Sequence, residues 1–372
     1  MNPRVAIVHE WFIDWAGSER VVEQILACFP GADLFALVDF LPLEHRKKIL
    51  NKHVETTFLQ RAPFAKKHLR YYLPWMPFAI EQLDLSAYDI IISSSHAVAK
   101  GVITGPHQLH VSYVHSPMRY AWDLQQEYLR GPNGKGIRGI ALRWTLHSLR
   151  QWDLRTINGV DLFIANSAFV AKRINKYYRR DAAVIYPPVD VESFPLKEVK
   201  EDFYLCAGRL EPYKRIDVAV EAFKQMPDKS LVILGDGPEL RSLKRNVTPN
   251  IEFIGYQTPE NWLRYLQKAK ALIFPGIEDF GISPIEAQAC GTPVIAFGKG
   301  GALETVRPIG EQLATGTFFH AQSPKSLASA VIFLEDNYAT ISPQACRNNA
   351  MQFSAAMFRN KFVDFMSAAT QF

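Results

Sequence analysis

Short apolar runs alternate with amphipathic stretches along the whole chain, and this alternation predicts strands that are followed by helices. The predicted strands of the first half lie at residues 5–8, 89–93, 109–114, 161–165 and 183–186. Those of the second half lie at residues 203–207, 231–235, 251–254, 271–275 and 294–297. The fold class is therefore α/β, with two doubly wound domains that we expect to face each other across a cleft.

The boundary between the two predicted domains falls where the alternation is interrupted. Pro187 and Pro188 stiffen the exit from the first domain, and residues 197–202 are charged and polar. We therefore expect one domain at residues 1–190 and a second at residues 200–350.

Composition narrows the class of protein. The chain of 372 residues is 48% hydrophobic and 21% charged, which is ordinary for a globular protein with a large core. The chain contains no run of eighteen uncharged apolar residues, so no transmembrane helix is predicted. The first residues do not predict a signal peptide. The four cysteines are widely spaced, which predicts reduced thiols rather than a metal site. We expect a cytoplasmic protein.

The net charge of +5 fits an anionic substrate or an anionic membrane surface, and no RNA- or DNA-binding module is visible. In residues 58–84, basic side chains interleave with aromatic ones, and three prolines prevent one long helix. This mixture suits the surface of a membrane that carries anionic lipid. The alternative is a surface excursion whose aromatic side chains pack on their own domain. We expect peripheral attachment to the inner face of the plasma membrane and no nucleic-acid partner.

The most informative stretch is residues 277–292, which read IEDFGISPIEAQACGT. Glu278 and Glu286 lie eight positions apart, between a predicted strand and a predicted helix. The turn between them contains Phe280, Gly281, Ile282 and Ser283. A strand followed by a glycine turn and a helix directs backbone N–H groups to the edge of the sheet where α/β proteins bind ligands.

The start of that helix has a second interpretation. Ser283, Pro284 and Glu286 fit an N-cap, a first helical residue and a capping-box partner. Glu286 could therefore serve the helix rather than a ligand, and Glu278 alone could be a solvated acid in a loop.

A cationic loop follows the predicted strand at residues 203–207. Arg209 and Lys214 lie five positions apart in it. Two cations at this edge can neutralise a diphosphate whose negative charge grows as its bond to a sugar breaks. The alternative is a solvated basic loop.

Two candidate site residues of the first half also lie after predicted strands. Gly17 lies at the turn between the first strand and its helix, where it is either a ligand-loop glycine or an ordinary turn glycine. His115 directly follows the strand at residues 109–114, where it either enters a site or is a core histidine. No G-x-G-x-x-G motif is present, so a dinucleotide is not expected.

Three motifs together resemble retaining glycosyltransferases of family 4. The loop at residues 208–215 is similar to the family's phosphate-binding G-R-L-x-x-x-K-R, and Glu278 with Glu286 matches its Glu-x7-Glu signature. Residues 113–123, YVHSPMRYAWD, resemble bacterial mannosyltransferases that assemble O-antigen and exopolysaccharide. The resemblance covers nearly the whole chain. It implies the GT-B fold of two Rossmann-like domains, with a final helix, residues 351–372, that crosses back to the first domain.

The resemblance implies a division of roles in which the second domain binds the nucleotide-sugar donor. Arg209 and Lys214 would stabilise the leaving diphosphate, and Glu278 would orient the sugar. The remaining donor contacts would come from Glu286 at the ribose, from Gly255 and Tyr256 at the base, and from Phe280, Gly281, Ile282 and Ser283 at the phosphates.

The first domain would bind the acceptor by the same resemblance. Gly17 would let its loop approach the donor phosphates, and His115 would lie near the reacting centre. The acceptor side would be shaped by Arg119, Tyr120, Trp122 and Asp123.

The implied reaction is transfer of mannose from GDP-mannose, with retention, to a saccharide carried on a polyprenyl diphosphate. No Asp-x-Asp pair follows a suitable strand, so we expect neither a metal nor another cofactor. No carboxylate is evident for a covalent intermediate, which favours transfer on the front face. A UDP-sugar donor, a sugar-nucleotide 2-epimerase of the same fold and a non-catalytic sugar-nucleotide binder are the alternatives.

Overall fold

The computed structural model describes residues 3–130 and 134–370, and these residues form two compact units. The described residues up to Pro188, together with those from Phe358 onward, form the N-terminal domain. Val189–Met357 form the C-terminal domain.

The N-terminal domain contains a parallel sheet of seven strands. The strands are β1 (Val5–His9), β2 (Asp33–Ala36), β3 (Val54–Thr56), β4 (Ile90–Ser95), β5 (Leu109–Val114), β6 (Leu162–Ala165) and β7 (Ala183–Val184). Their order across the sheet is β3-β2-β1-β4-β5-β6-β7. The direction of winding therefore reverses between β1 and β4, where His9 pairs with Ser94. In open α/β sheets such a reversal opens a crevice for ligands at the carboxyl ends of the strands.

Helices cover both faces of this sheet. The described helices of the domain's first segment are α1 (Gly17–Cys28), α2 (Ala65–His68), α3 (Met76–Ile80), α4 (Gln125–Arg130), α5 (Gly136–Thr156) and α6 (Ala168–Tyr178). Alternate residues of β1 enter different cores. Ile7 packs in a core with α1, whereas Ala6 and Val8 pack in a core with α3 and α5.

The C-terminal domain repeats the plan with six parallel strands. They are β8 (Phe203–Ala207), β9 (Ser230–Leu234), β10 (Ile251–Gly255), β11 (Ala271–Phe274), β12 (Val294–Phe297) and β13 (Gly316–Phe319), in the order β10-β9-β8-β11-β12-β13. The reversal lies between β8 and β11. The cationic loop follows β8 and the glycine turn follows β11, so the topology places these two segments side by side.

The described helices after β8 complete the C-terminal domain and return to the first. They are α7 (Ile216–Lys224), α8 (Leu240–Leu243), α9 (Pro259–Lys268), α10 (Ile282–Ala289), α11 (Ala302–Thr305), α12 (Pro324–Asp336), α13 (Pro343–Met351) and α14 (Ala355–Ala369). From Phe358 onward, α14 belongs to the N-terminal domain, where Phe358, Phe362 and Met366 pack in the same core as α1.

The prediction of two doubly wound parallel-sheet domains is confirmed. Three strands were not predicted, namely β2, β3 and β13, which have only three or four residues each. The three residues of β3 are too few to display a clear periodicity. Within the described residues, no helix combines the length and the apolar character needed to cross a bilayer.

Replacing Phe362 with Ala tests whether α14 stabilises the N-terminal domain. Phe362 is fully buried, and its ring contacts those of Phe29 and Phe358. We expect the free energy of unfolding of this domain to fall by about 3–5 kcal/mol, because the substitution leaves a cavity in a packed core. Amide hydrogen exchange in urea would locate the loss. Val363→Ala, on the exposed side of the same helix, is the control, and equal effects of the two variants would contradict the assignment.

Candidate active site

Lys214 and Glu278 meet at the edge of the C-terminal sheet. The Lys214 ammonium forms an ion pair with Glu278 Oε1, and the two side chains are 21% and 16% exposed. Lys214 follows β8 and Glu278 follows β11, the neighbouring strands at the reversal of the sheet. Both residues were predicted as site residues, and the structure brings them together.

A glycine allows the two loops to come this close. A Cβ atom built on Gly276 would lie 3.0 Å from Lys214 Cα and 3.1 Å from the carbonyl oxygens of Tyr213 and Lys214. These distances are below ordinary van der Waals contact, so a larger residue would push the cationic loop away from β11. Gly276 was not predicted as a site residue, because its contact is with another segment of the chain.

Arg209 lies in the same loop but is held differently. Its Nε atom is 3.1 Å from Glu211 Oε1, and its side chain is 61% exposed. Both cations are therefore paired with a carboxylate, but the Arg209 side chain is much more exposed than that of Lys214 and is accessible to a ligand.

The turn before α10 corrects one prediction. The helix begins at Ile282, not after Ser283, and the preceding Gly281 has φ of +91°. A Cβ atom on Gly281 would lie 3.0 Å from the Phe274 ring. Ser283 is therefore not the N-cap, because Gly281 has already turned the chain into the helix. The first amides of a helix have no acceptor within it, so Ile282 and Ser283 provide donors for an anion at this end.

Glu286 is not a capping-box residue either. Its side chain is buried, and Oε2 accepts a hydrogen bond of 3.0 Å from Trp262 Nε1 of α9. The capping interpretation was wrong because a tertiary contact holds the carboxylate. Trp262 was not predicted, since nothing in the sequence near Glu286 points to α9.

Gly255 and Tyr256 lie further along the same edge. Gly255 ends β10 with φ of +73°, and the Tyr256 side chain is 81% exposed. β10 is the edge strand, and β9 separates it from β8. The position is open, so a planar group could stack there.

Two glycines support the segment that contains Glu278 and Phe280. Gly301 N donates a hydrogen bond of 2.9 Å to the Glu278 carbonyl oxygen. A Cβ atom on Gly300 would lie 2.5 Å from that oxygen, and one on Gly301 would lie 2.4 Å from Phe280 Cα. The run KGG at residues 299–301 is the feature of the sequence that could have indicated this contact.

In the N-terminal domain, His115 is joined to a row of buried polar side chains. His115 Nε2 is 2.8 Å from Ser94 Oγ, and Ser94 Oγ is 3.2 Å from His9 Nδ1. His9 Nε2 is 3.1 Å from Glu19 Oε1. Burial lowers the pKa of His115 well below its ordinary value, and the rings of His96 and His9 act in the same direction. The His115 ring is therefore neutral at physiological pH.

Gly17 is the first residue of α1, and Glu19 organises the turn around it. Glu19 Oε2 accepts hydrogen bonds of 3.0 Å from Ala16 N and Ser18 Oγ. Burial opposes ionisation of Glu19, but the hydrogen bond and the charge of His9 outweigh burial and lower its pKa to about 2. Glu19 is thus an anion at the start of a helix, where the helix dipole also favours negative charge.

A second buried carboxylate, Glu10, shapes the loop after β4. Its Oε1 atom accepts hydrogen bonds of 2.7–3.1 Å from the backbone N–H groups of His96, Ala97 and Ala99, and Oε2 accepts one from Val98. Burial opposes ionisation, but His96 and these N–H groups give Glu10 a lowered pKa. Neither Glu10 nor Glu19 was predicted as a site residue. The partners of Glu10 are backbone N–H groups far away in the sequence, and Glu19 pairs with His9 on a different element.

The segment predicted to shape the acceptor side is tied to α5 and α6. Trp122 Nε1 donates a 2.8 Å hydrogen bond to Asp153, and its ring stacks on Tyr177 at 4.7 Å. Asp123 forms a 2.6 Å ion pair with Arg173. These contacts give Trp122 and Asp123 structural roles of their own.

Arg119 and Tyr120 belong to the same segment. Both side chains are half-buried. Burial raises the pKa of Tyr120, and its hydroxyl has no hydrogen-bond partner within the described chain. A buried hydroxyl without a partner costs free energy, so a ligand group at this position would be favourable.

Several proteins are similar to this chain. A mannosyltransferase of Corynebacterium glutamicum, named as GDP-mannose-dependent and acting on monoacylated alpha-(1-6)-phosphatidylinositol monomannoside, is 35% identical over 147 residues, which are 36% of this chain and 37% of the relative. D-inositol 3-phosphate glycosyltransferase of Mycobacterium avium is 27% identical over 178 residues, which are 41% of this chain and 42% of the relative. The matches thus span less than half the length of these two relatives.

Solved structures share the fold over nearly the whole chain. Sucrose-phosphate synthase of Thermosynechococcus elongatus has a TM-score of 0.75 at 17% identity, with 99% of each chain covered. Anabaena HepE, solved with UDP and glucose, has a TM-score of 0.69 at 16% identity, with 98% of this chain and 100% of that chain covered. Identities this low show the fold alone.

Two family descriptions match adjoining parts of the chain. Residues 15–193 match "Glycosyltransferase Family 4", and residues 188–353 match "Glycosyl transferases group 1". The two matches meet where the structure divides into its two domains. The chain is therefore built from a glycosyltransferase family 4 domain followed by a glycosyl transferases group 1 domain, in the GT-B fold.

Proposed function

We propose that this protein is a retaining glycosyltransferase that moves mannose from GDP-mannose to a lipid-linked saccharide in the synthesis of a bacterial surface polysaccharide. The observation that carries the proposal is the Lys214–Glu278 ion pair at the reversal of the C-terminal sheet, beside the start of α10. It combines a cation for a diphosphate with a carboxylate for sugar hydroxyls. The first amides of α10 add donors for an anion at the same edge.

Breaking the bond between the sugar and the diphosphate places negative charge on the leaving group. Arg209, which is exposed, and Lys214 supply the opposite charge. The proposal therefore assigns this stabilisation to side chains rather than to a metal ion. When the donor binds, Lys214 turns from Glu278 to the diphosphate, and Glu278 is left to accept hydrogen bonds from the sugar.

The choice of GDP-mannose rests on similarity. One relative is named as a GDP-mannose-dependent mannosyltransferase, and residues 113–123 resemble bacterial mannosyltransferases. Retention follows from the same resemblance, and the front-face course follows because no carboxylate is evident for a covalent intermediate.

A UDP-sugar donor is the second candidate. Anabaena HepE, which shares the fold, was solved with UDP and with UDP-glucose. Tyr256 is open enough to stack on either base, so it favours neither guanine nor uracil.

Exposed aromatic and basic side chains of the N-terminal domain support peripheral attachment to a membrane. In residues 58–78, Leu59, Leu69 and Met76 enter the core. Five aromatic side chains of the same segment are about half exposed or more, namely Phe58, Phe64, Tyr71, Trp75 and Phe78. Lys66, Lys67 and Arg70 are exposed among them. Aromatic rings with basic residues fit the interface of a bilayer that carries anionic lipid, where a lipid-linked acceptor would be found.

Arg209→Ala and Lys214→Ala should each lower the rate of transfer on the order of 10²–10³-fold, because each removes charge that stabilises the leaving diphosphate. Turnover of radiolabelled GDP-mannose with a lipid-linked acceptor is the measurement. Lys224→Ala is a matched control, since Lys224 pairs with Glu221 on α7. Near-normal turnover in both site variants would remove the leaving-group assignment.

Glu278→Gln should lower turnover much more than it weakens GDP binding. The amide keeps the shape but loses the charge that strengthens hydrogen bonds to sugar hydroxyls, while Lys214 is released for the diphosphate. Glu286→Gln should weaken GDP itself, and the amide oxygen can still accept the hydrogen bond of Trp262.

Calorimetry with GDP and with UDP, on the wild type and both variants, measures these effects beside the turnover rates. If the wild type clearly prefers UDP, the donor is a UDP-sugar, the second candidate, and not GDP-mannose. Equal losses of GDP affinity in the two variants would contradict the separate roles of Glu278 and Glu286.

Replacing Lys66, Lys67 and Arg70 with Ser should weaken binding to vesicles that contain anionic lipid, by about 1 kcal/mol for each charge. Vesicle sedimentation at low salt is the measurement. A variant with Ser at Arg241, Lys244 and Arg245, which are exposed on the C-terminal domain, removes the same charge elsewhere. If the wild type does not sediment with such vesicles, or if both variants lose binding equally, residues 58–84 are not the membrane contact.

A further inference from the structure

Four polar groups, three buried and one half-buried, form one continuous row across the reversal of the N-terminal sheet. Glu19 comes from α1, His9 from the end of β1, Ser94 from β4 and His115 from the residue after β5. The three links measure 3.1 Å, 3.2 Å and 2.8 Å between heavy atoms. Glu19, His9 and Ser94 are all less than 5% exposed. Every link is within hydrogen-bond distance, so the position of one proton constrains the next.

The first link fixes a proton on His9. Glu19 is an anion at neutral pH and can only accept a hydrogen bond. His9 Nε2 therefore carries hydrogen and donates to Glu19. The second ring nitrogen, Nδ1, carries hydrogen only when the His9 ring is a cation.

The Ser94 hydroxyl couples the charge state of His9 to the tautomer of His115. Its hydroxyl has one hydrogen, and no other acceptor lies within hydrogen-bond distance in the described chain. It therefore donates to one ring and accepts from the other. When His9 is neutral, Ser94 donates to His9 Nδ1, and His115 Nε2 must carry the hydrogen. When His9 is a cation, the direction reverses, and His115 Nε2 becomes an acceptor.

His115 itself is neutral in both states, so each state fixes one tautomer. With neutral His9, the lone pair of His115 is at Nδ1. With cationic His9, a hydrogen is at Nδ1. Nδ1 has no hydrogen-bond partner within the described residues, so it is the ring nitrogen that remains for a ligand.

We propose that Glu19, His9 and Ser94 are positioning residues that set the tautomer of His115, so that protonation of His9 converts His115 Nδ1 from a hydrogen-bond acceptor into a donor. The role of this tautomer in transfer rests on the proposed function. With His9 neutral, Nδ1 accepts a hydrogen bond from a hydroxyl of the donor sugar near the reacting carbon. Such bonds strengthen as positive charge develops on the sugar ring. When His9 is protonated, His115 Nδ1 carries a hydrogen instead and cannot accept this hydrogen bond, so transfer slows.

Other charged groups near the row are accounted for by their own partners. The Glu10 carboxylate is saturated by the N–H groups of the loop after β4. The His96 ring lies 6.2 Å from the His115 ring, and burial lowers its pKa, so it is neutral at physiological pH. The Tyr113 hydroxyl donates to the carbonyl oxygen of Ile185. His96 therefore acts on His115 only through its charge, whereas Glu19 and His9 are linked to His115 by the hydrogen bonds of the row.

The test is 15N NMR of the full chain with labelled histidine, recorded over a range of pH. The spectra of His9→Gln and His115→Gln assign the two rings. We expect His115 to be the Nε2–H tautomer wherever His9 is neutral and the Nδ1–H tautomer wherever His9 is a cation. Ser94→Ala should break the relation and leave His115 as a mixture of tautomers. Ser112→Ala removes another buried hydroxyl, on β5, and should leave it unchanged.

Three results would overturn the inference. One is the Nδ1–H tautomer of His115 beside a neutral His9, or the Nε2–H tautomer beside a cationic His9. Another is a His115 ring that gains its own charge over the same pH range. The third is an unchanged relation in Ser94→Ala. If Ser94→Ala does not fold, the wild-type titration still decides the matter, because the pairing of the two ring states is the claim.

Turnover separates this inference from the proposed function. Ser94→Ala should lower kcat on the order of 10- to 100-fold, the size found when an outer hydrogen-bond partner of a site residue is lost, with KM for the donor unchanged. Wherever the spectra show His9 as a cation, the wild type should be less active. Absence of transfer from every GDP- and UDP-sugar would end the proposed function, while the spectra would still decide the tautomer. Active Ser94→Ala with an altered His115 tautomer would overturn the role assigned to the row in transfer.

Discussion

Parallel pairing of strands is the constraint on which the candidate site depends. Because every strand in each sheet runs in the same direction, all the carboxyl ends meet at one edge, and the strand order reverses once in each domain. At that reversal two loops leave in opposite directions and expose backbone N–H groups. The charged residues of both domains gather there, Glu19 and Glu10 in one and Lys214 and Glu278 in the other, and each is held by partners from a neighbouring loop or helix.

The two domains use this edge differently. In the C-terminal domain, cations and a carboxylate are partly exposed, which suits a charged ligand that must enter and leave. In the N-terminal domain, the polar groups are buried and bonded to one another, so they hold a geometry rather than attract a ligand.

The sequence alone predicted the architecture and the position of His115, Lys214 and Glu278, because each follows a strong apolar strand. It did not predict what these residues contact. The row from Glu19 to His115 needs the pairing of β1 with β4, which are separated by 80 residues of sequence. The predicted start of α10 was wrong for a related reason. Ser283, Pro284 and Glu286 fit the local pattern of a capping box. The observed geometry depends instead on contacts with Phe274 and Trp262, which are distant in sequence. Short strands such as β3 carry too little pattern to be recognised.

The return of α14 to the N-terminal domain has a consequence for the order of folding during synthesis. Domains generally fold in the order in which they leave the ribosome. Here the core around α1 lacks Phe358, Phe362 and Met366 until the ribosome has translated the whole of Val189–Met357. The C-terminal domain can therefore complete its core first. Until α14 is synthesised, the N-terminal domain keeps part of its apolar surface exposed. A chaperone that shields nascent apolar surface would act on the first half of this chain rather than on the second.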